Sequence, residues 1–310
     1  LLDNAAMNVA TTRDPRPAAD WLRPLRYGVR TPLLLGHIAL SLPLTLGVIL
    51  TPLGRLGGDD PLKHRVVRWW SRGLTRIFGI RVVRRGTPLP GGVLLVSNHR
   101  SWLDIELIHG QRMACFVAKS EIERWPMVGW LASQAGTIYH RRGSTESLSG
   151  VSGTMVDRLR QGLAVAVFPE GGIRPGNRVH TFHARIFQAA IDADVPAQPV
   201  ALRMTRDGAP TDVLCERPRE GFLGCFLRVL GERRTDVEVI FLDPVRADGS
   251  GRRRMADACR GQILAALGQL DEPRRGTRGE DAVDDADPLS DSVAAADAAI
   301  DAAADDGPPR

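Results

Sequence analysis

The chain has 310 residues, with 41 Lys and Arg against 36 Asp and Glu, a formal charge of +5. Charged residues at 25% and hydrophobic residues at 43% exclude wholesale disorder, a collagen-like chain and a multi-span membrane protein. The charge is unevenly spread: residues 271–310 hold 12 acidic and 4 basic residues, leaving the rest of the chain at +13. So basic a body calls for an anionic partner, whether nucleic acid, an acidic membrane surface or a phosphorylated substrate. Aromatic residues make up only 5%, with no basic–aromatic alternation or recognition helix, which argues against nucleic acid. Cys115, Cys215, Cys225 and Cys259 show no C-x-x-C spacing and form no disulfide framework, so a reducing compartment is expected.

Residues 1–30 read as a polar, irregular tail punctuated by Pro15, Pro17 and Pro24, with Met7 a candidate start. Thr31 to Gly54 is Leu-rich and 24 residues long without a formal charge. As a helix it would exceed the roughly 30 Å hydrocarbon core; the competing reading is a buried core helix. Pro43 and Gly47 sit inside it as candidate breaks, and Arg flanks it on both sides. Positive charge on both flanks fits a segment that dips into one leaflet and returns better than a single span, which stays open. Leu62 to Ile77 has the period of an amphipathic helix. Leu62, Val66, Trp69, Trp70, Leu74 and Ile77 share one face, and Arg65, Arg68, Arg72 and Arg76 gather on an adjacent arc. That pattern suits an anionic interface; a surface helix packed on its own core is the alternative. Residues 31–77 are therefore assigned to membrane binding.

Residues 78–270 form the next unit. Strands are expected at Ile80–Val83, Val93–Ser97, Cys115–Ala118, Thr137–Tyr139, Ala164–Phe168, Gln198–Leu202 and Val237–Leu242. Helices are expected at Leu103–His109, Pro126–Ala135, Ser147–Gln161, Phe182–Ala193 and Arg254–Leu267. Such alternation predicts an α/β fold, a mixed, largely buried sheet flanked by helices, behind an N-terminal membrane-binding helical region. Residues 271–310, Asp- and Ala-rich with no apolar face, read as a disordered acidic tail.

Three polar clusters fall at strand ends, where α/β sheets place their sites, and a fourth cluster enters a strand. The first holds Asn98, His99, Ser101 and Asp104. His99 and Asp104 are five apart, so they meet only if a turn intervenes between strand and helix, with Ser101 as its cap. A carboxylate beside an imidazole suits a general base; a turn His with a capping Asp is the plainer alternative. The second, Gly136 to Gly143, offers Arg141 and Arg142 as a clamp for phosphate or carboxylate, or simply a solvated basic turn. The third, Phe168-Pro169-Glu170-Gly171-Gly172, presents a carboxylate and a Gly pair that lets backbone N–H groups approach a ligand. The fourth, Val195-Pro196-Ala197-Gln198-Pro199-Val200, is rigid turn chemistry. Walker A, dinucleotide and G-x-S-x-G patterns are missing, and His180 and His183 have no accompanying ligand set, so no metal is expected.

Taken in order, the four clusters resemble the motifs of the glycerolipid acyltransferase family, of the lysophosphatidic-acid acyltransferase type. N-H-x-S-x-x-D is met by Asn98, His99, Ser101 and Asp104; the Gly–aromatic–Arg motif by Gly136, Tyr139 and Arg142; F-P-E-G by Phe168 to Gly171; and V-P-x-x-P-V by Val195 to Val200. Gly172 stands where the family commonly has Thr, and Arg141 where it often has Asp. Phe182-His183-Ala184-Arg185-Ile186-Phe187-Gln188-Ala189-Ala190 further resembles the branch that acylates lyso-ornithine lipids. The resemblance implies His99 as base and Asp104 as its support. It implies acceptor binding by Arg141, Arg142, Glu170, Gly171 and Gly172, with Asn98 and Ser101 shaping the site. Acyl-CoA or acyl-carrier protein would be the donor, a lysophospholipid the acceptor, and an anionic membrane, at the cytoplasmic face, the location, without a cofactor. A lyso-ornithine lipid acceptor and a non-catalytic membrane-binding protein are the alternatives.

Overall fold

A computed structural model describes residues 20–58, 60–125, 128–140, 145–173, 178–217 and 219–269. In chain order its elements begin with α1 (Arg23–Ile49), a 3-10 turn (Pro52–Arg55), α2 (Leu62–Ile77), β1 (Ile80–Arg85), β2 (Val93–Ser97) and α3 (Leu103–His109). Next come β3 (Cys115–Lys119), α4 (Ser120–Glu123), α5 (Val128–Gln134), β4 (Ile138–His140), α6 (Thr145–Arg160) and β5 (Ala164–Val167). A second 3-10 turn (Ala184–Phe187) leads through α7 (Gln188–Asp192), β6 (Ala197–Arg206), β7 (Ala209–Pro210), α8 (Gly221–Leu230) and β8 (Thr235–Phe241) to α9 (Gly251–Leu267).

The strands form one mixed sheet in the order β1-β8-β6-β2-β5-β3-β4, with β7 paired to β6. Neighbours run parallel except at the antiparallel pairs β6–β8 and β6–β7. β2 sits between two parallel partners and is buried at every residue, as a strand covered on both faces must be. Its side chains alternate between two cores. Val93 and Leu95 pack with Leu34 of α1, Leu74 of α2 and Leu103 and Leu107 of α3. Leu94 and Val96 pack with Met155 and Leu159 of α6 and with Ala256 and Ile263 of α9. The result is helix, sheet, helix, with the end of β2 at the centre.

The amino-terminal region departs from the sequence reading in two respects. The polar tail expected over residues 1–30 is already helical from Arg23, because Pro24 stands in the first turn, where its fixed φ helps and its missing N–H costs nothing. Nor does the chain break at Pro43 or Gly47: α1 runs through both, and reversal comes after Ile49. α1 and α2 then form a hairpin. Its tight contact is at Gly73, where an added Cβ would lie 2.5 Å from His37 Cε1; the His37 ring stacks on Trp70 at 4.5 Å. The other end of α1 is tied to the body. Arg26 donates to the Gly231 carbonyl, and Arg30 to the Leu230 and Glu232 carbonyls, satisfying groups at the carboxyl end of α8. Only 22% of the most apolar stretch of α1 is buried, and Leu33, Leu35, Leu40 and Leu44 are exposed. A core helix would hide them; α1 instead carries an uncovered apolar face long enough to cross a membrane.

Further differences lie downstream. The single helix expected at Phe182–Ala193 is a 3-10 turn followed by the short α7. α8, not anticipated, supplies the aromatic floor of Phe222 and Phe226 that packs on Trp102. The acidic tail lies outside the described residues.

Candidate active site

The turn from β2 into α3 folds back on one carboxylate. Asp104, with a fully buried side chain, accepts His99 Nδ1 on Oδ2 at 2.9 Å. The same oxygen accepts the backbone N–H groups of Arg100 (2.5 Å) and Ser101 (2.8 Å). Three donors on one oxygen fix the turn and hold the imidazole by a single nitrogen. Nδ1 therefore carries the proton toward Asp104, and Nε2 is left as the lone-pair nitrogen. The His99 side chain keeps 16% of its surface open. The intervening turn is what lets residues five apart meet.

The Phe168 ring lies flat against His99, centroids 3.9 Å apart at 10°, and Phe116 stacks behind it. This wall opposes turning of the imidazole about its Cβ–Cγ bond. Phe168 ends the expected strand Ala164–Phe168, and nothing local to it signals the stacking on His99. Glu170 is buried, and its two oxygens each accept a backbone N–H at 2.8 Å, from His99 and from His180. Burial pushes its carboxyl above the ordinary glutamate range, while the two N–H groups, Arg100 and His99 pull the other way. Glu170 thus joins the turn after β5 to the turn after β2. Gly171 beside it has φ +78°, a conformation that costs glycine nothing, and its N–H points back to the Phe168 carbonyl at 3.3 Å. At Gly172 an added Cβ would meet only open space.

Asn98 and Ser101 are fully buried. Asn98 donates to the Leu202 carbonyl and accepts the Leu202 N–H, at 3.1 and 2.9 Å, and so locks the end of β2 to β6. Ser101 Oγ accepts the Leu103 N–H at 3.4 Å, at the start of α3. Tyr139 is turned onto α5, donating to the Gly129 carbonyl at 2.9 Å. Arg141 and Arg142 lie outside the described residues. Arg100, which drew no notice in the sequence, is 3% exposed beside this cluster, and its backbone carbonyl accepts the Glu216 N–H.

All four cysteines are buried and free. Burial pushes the Cys215 and Cys259 thiols up to about 12, and those of Cys115 and Cys225 up as well. None is a thiolate near neutral pH, so none offers a nucleophile. The arrangement that remains is an oriented, partly open imidazole on a rigid strand end, suited to taking a proton from a hydroxyl.

Comparison with known proteins agrees with this chemistry. A family model described as Acyltransferase matches residues 56–203, from just before α2 to most of β6. A lyso-ornithine lipid O-acyltransferase of Pseudomonas aeruginosa is 35% identical over 245 residues, 78% of this chain and 94% of that protein. A 1-acyl-sn-glycerol-3-phosphate acyltransferase of Neisseria meningitidis is 30% identical over 188 residues, 60% of this chain and 74% of that protein. Among solved structures, the 1-acyl-sn-glycerophosphate acyltransferase of Thermotoga maritima shares the fold, with a TM-score of 0.56 at 20% identity, covering 81% of this chain and all of that one. With the dyad in place and a relative matched along nearly its whole length, the chain belongs to the acyltransferase family and is an enzyme of that kind.

Proposed function

We propose that the protein transfers a fatty acyl group from acyl-CoA or acyl-carrier protein to the free hydroxyl of a lysophospholipid, with 1-acylglycerol-3-phosphate as acceptor and phosphatidic acid as product. The observation that carries this is the His99–Asp104 pair, with Nε2 left as base. His99 takes the proton of the acceptor hydroxyl as its oxygen attacks the thioester carbonyl. The C–O bond forms, the C–S bond breaks, and the thiolate leaves and is protonated. Asp104 holds the imidazole and stabilises its protonated form. Transfer is direct, in keeping with the buried cysteines and the missing nucleophile elbow. Arg141 and Arg142 bind the acceptor's phosphate, and the Glu170–Gly172 turn borders its polar end. No cofactor takes part.

The uncovered leucines of α1 support residence on a membrane, with the basic hairpin at an anionic surface and the catalytic end on the cytoplasmic side, where acyl thioesters are made. A second reading, lyso-ornithine lipid as acceptor, is favoured by the 35% identity over 94% of the Pseudomonas relative. A panel of lysolipid acceptors assayed with one labelled acyl-CoA decides. Transfer to 1-acylglycerol-3-phosphate well above the rest supports the first reading, preference for lyso-ornithine lipid the second, and vesicle binding without transfer to any acceptor removes both.

A further inference from the structure

A cavity of about 400 Å³ opens between α2, β1 and α3, away from the dyad, lined by Arg72 and Arg76 of α2, Arg84 of β1 and Glu106 of α3. Its charges do not cancel: three guanidiniums face one carboxylate. Neighbouring arginines are paired. Arg68 is forked onto Asp60, Arg81 onto Asp236, and Arg85 meets Glu238. Among the described residues no carboxylate lies within ion-pair reach of Arg72, Arg76 or Arg84. Arg72 is held by one bond, Nε to the Gly110 carbonyl at 2.6 Å, which leaves its terminal nitrogens unbonded. Glu106 Oε2 is buried without a hydrogen-bond partner. Partial burial and the repulsion of Arg68, Arg76 and Arg84 lower the Arg72 pKa.

The sheet register separates this cavity from the dyad. Arg84 pairs with Val239, Val239 with Leu202, and Leu202 is bridged by Asn98 at the end of β2. The Arg84 side of the cavity is therefore level with the catalytic end but displaced sideways by three strand spacings, about 14 Å. It also divides the basic arc read from the sequence: Arg72 and Arg76 line a pocket, whereas Arg68 is tied to Asp60.

We propose that this cavity is a second anion site, built for a phosphate monoester. Its net charge of about +2 matches a monoester near neutral pH, at roughly −1.5 to −2, better than a diester at about −1. Unpaired guanidinium forks suit a phosphate's several oxygens. Two sources share that chemistry: a phosphatidic-acid head group in the membrane beneath α2, or the 3′-phosphate of a soluble CoA donor.

Binding by the full chain tests the site without recourse to acyl transfer, so its failure is distinct from failure of the proposed reaction. One arm compares phosphatidylcholine vesicles carrying phosphatidic acid with vesicles carrying phosphatidylserine at matched surface charge. The other compares CoA with 3′-dephospho-CoA by calorimetric titration. The site predicts at least a tenfold preference for the monoester in one arm, which names its source. It predicts loss of that preference in an Arg76→Ala/Arg84→Ala variant, whose exposed positions leave the melting temperature unchanged. Glu106→Gln should tighten binding severalfold. Equal binding of monoester and diester in both arms, or a preference that survives the double substitution, overturns the proposal, as does weaker binding by Glu106→Gln.

Discussion

Three donors on one oxygen of Asp104 decide what His99 can do, because a ring held through Nδ1 presents only Nε2. The two residues lie close along the chain, and so the pair was legible in the sequence. The same stretch hid the role of Asn98, whose partner Leu202 is 104 residues away; no local pattern signals a side chain that mimics a strand partner. Asn98→Ala would strip a buried backbone N–H and C=O of their bonds at once. Each orphaned group costs about 1–3 kcal/mol. Denaturant unfolding should show a midpoint lowered accordingly, with the slope unchanged. A midpoint equal to that of the parent chain would mean that the bridge to β6 contributes nothing.

At the scale of elements, those with clear periodicity and flanking punctuation came through the sequence reading intact. β2, α3 and α2 have the ends expected of them, the last with Pro61 immediately before it. α8 escaped because Gly-Phe-Leu-Gly-Cys-Phe-Leu reads as an apolar run with glycines, and its helicity comes from burial of Cys225 and Val229 and from Arg228. Arg228 bonds Glu220, the Val213 carbonyl and the Cys215 carbonyl, tying the loop before α8 to the helix. The bond to Arg228 holds the Glu220 carboxyl below the ordinary glutamate range. The unfolded chain therefore binds the proton at higher pH than the folded one. The stabilisation is complete above the ordinary glutamate pKa, about 4.3, and is lost as pH falls through the lower folded value. Glu220→Gln should flatten the acid limb of the stability–pH curve below about pH 4.3. An acid limb of unchanged steepness would place the coupling elsewhere.

For the whole molecule, the net +5 joins a basic body to an acidic tail, and the fold gives that basicity two destinations: a hairpin with an uncovered apolar face and an arginine-lined cavity. Composition could locate the hairpin but not its anchorage, since Arg26 and Arg30 bond to carbonyls some 200 residues away. Removing residues 31–77 would also remove Leu34 and Leu74 from the core, so a subtler change is needed. Leu35, Leu40 and Leu44 are exposed, and serine at all three should leave the melting temperature nearly unchanged. Each leucine buried in lipid contributes about 1.5–3 kcal/mol, so vesicle partitioning should fall by at least a hundredfold. Undiminished partitioning would move the membrane contact to another face.

The central claim is that His99, oriented by Asp104, is the base of a direct acyl transfer. Its most direct test is the rate of transfer from labelled acyl-CoA to the preferred lysolipid by His99→Ala, with an unchanged melting curve as the check on folding. General-base catalysis of this kind contributes about 10²–10⁴-fold. A fall in kcat of that size, shared by Asp104→Asn, is the predicted result; a variant lacking the imidazole that turns over at the parent rate would contradict it.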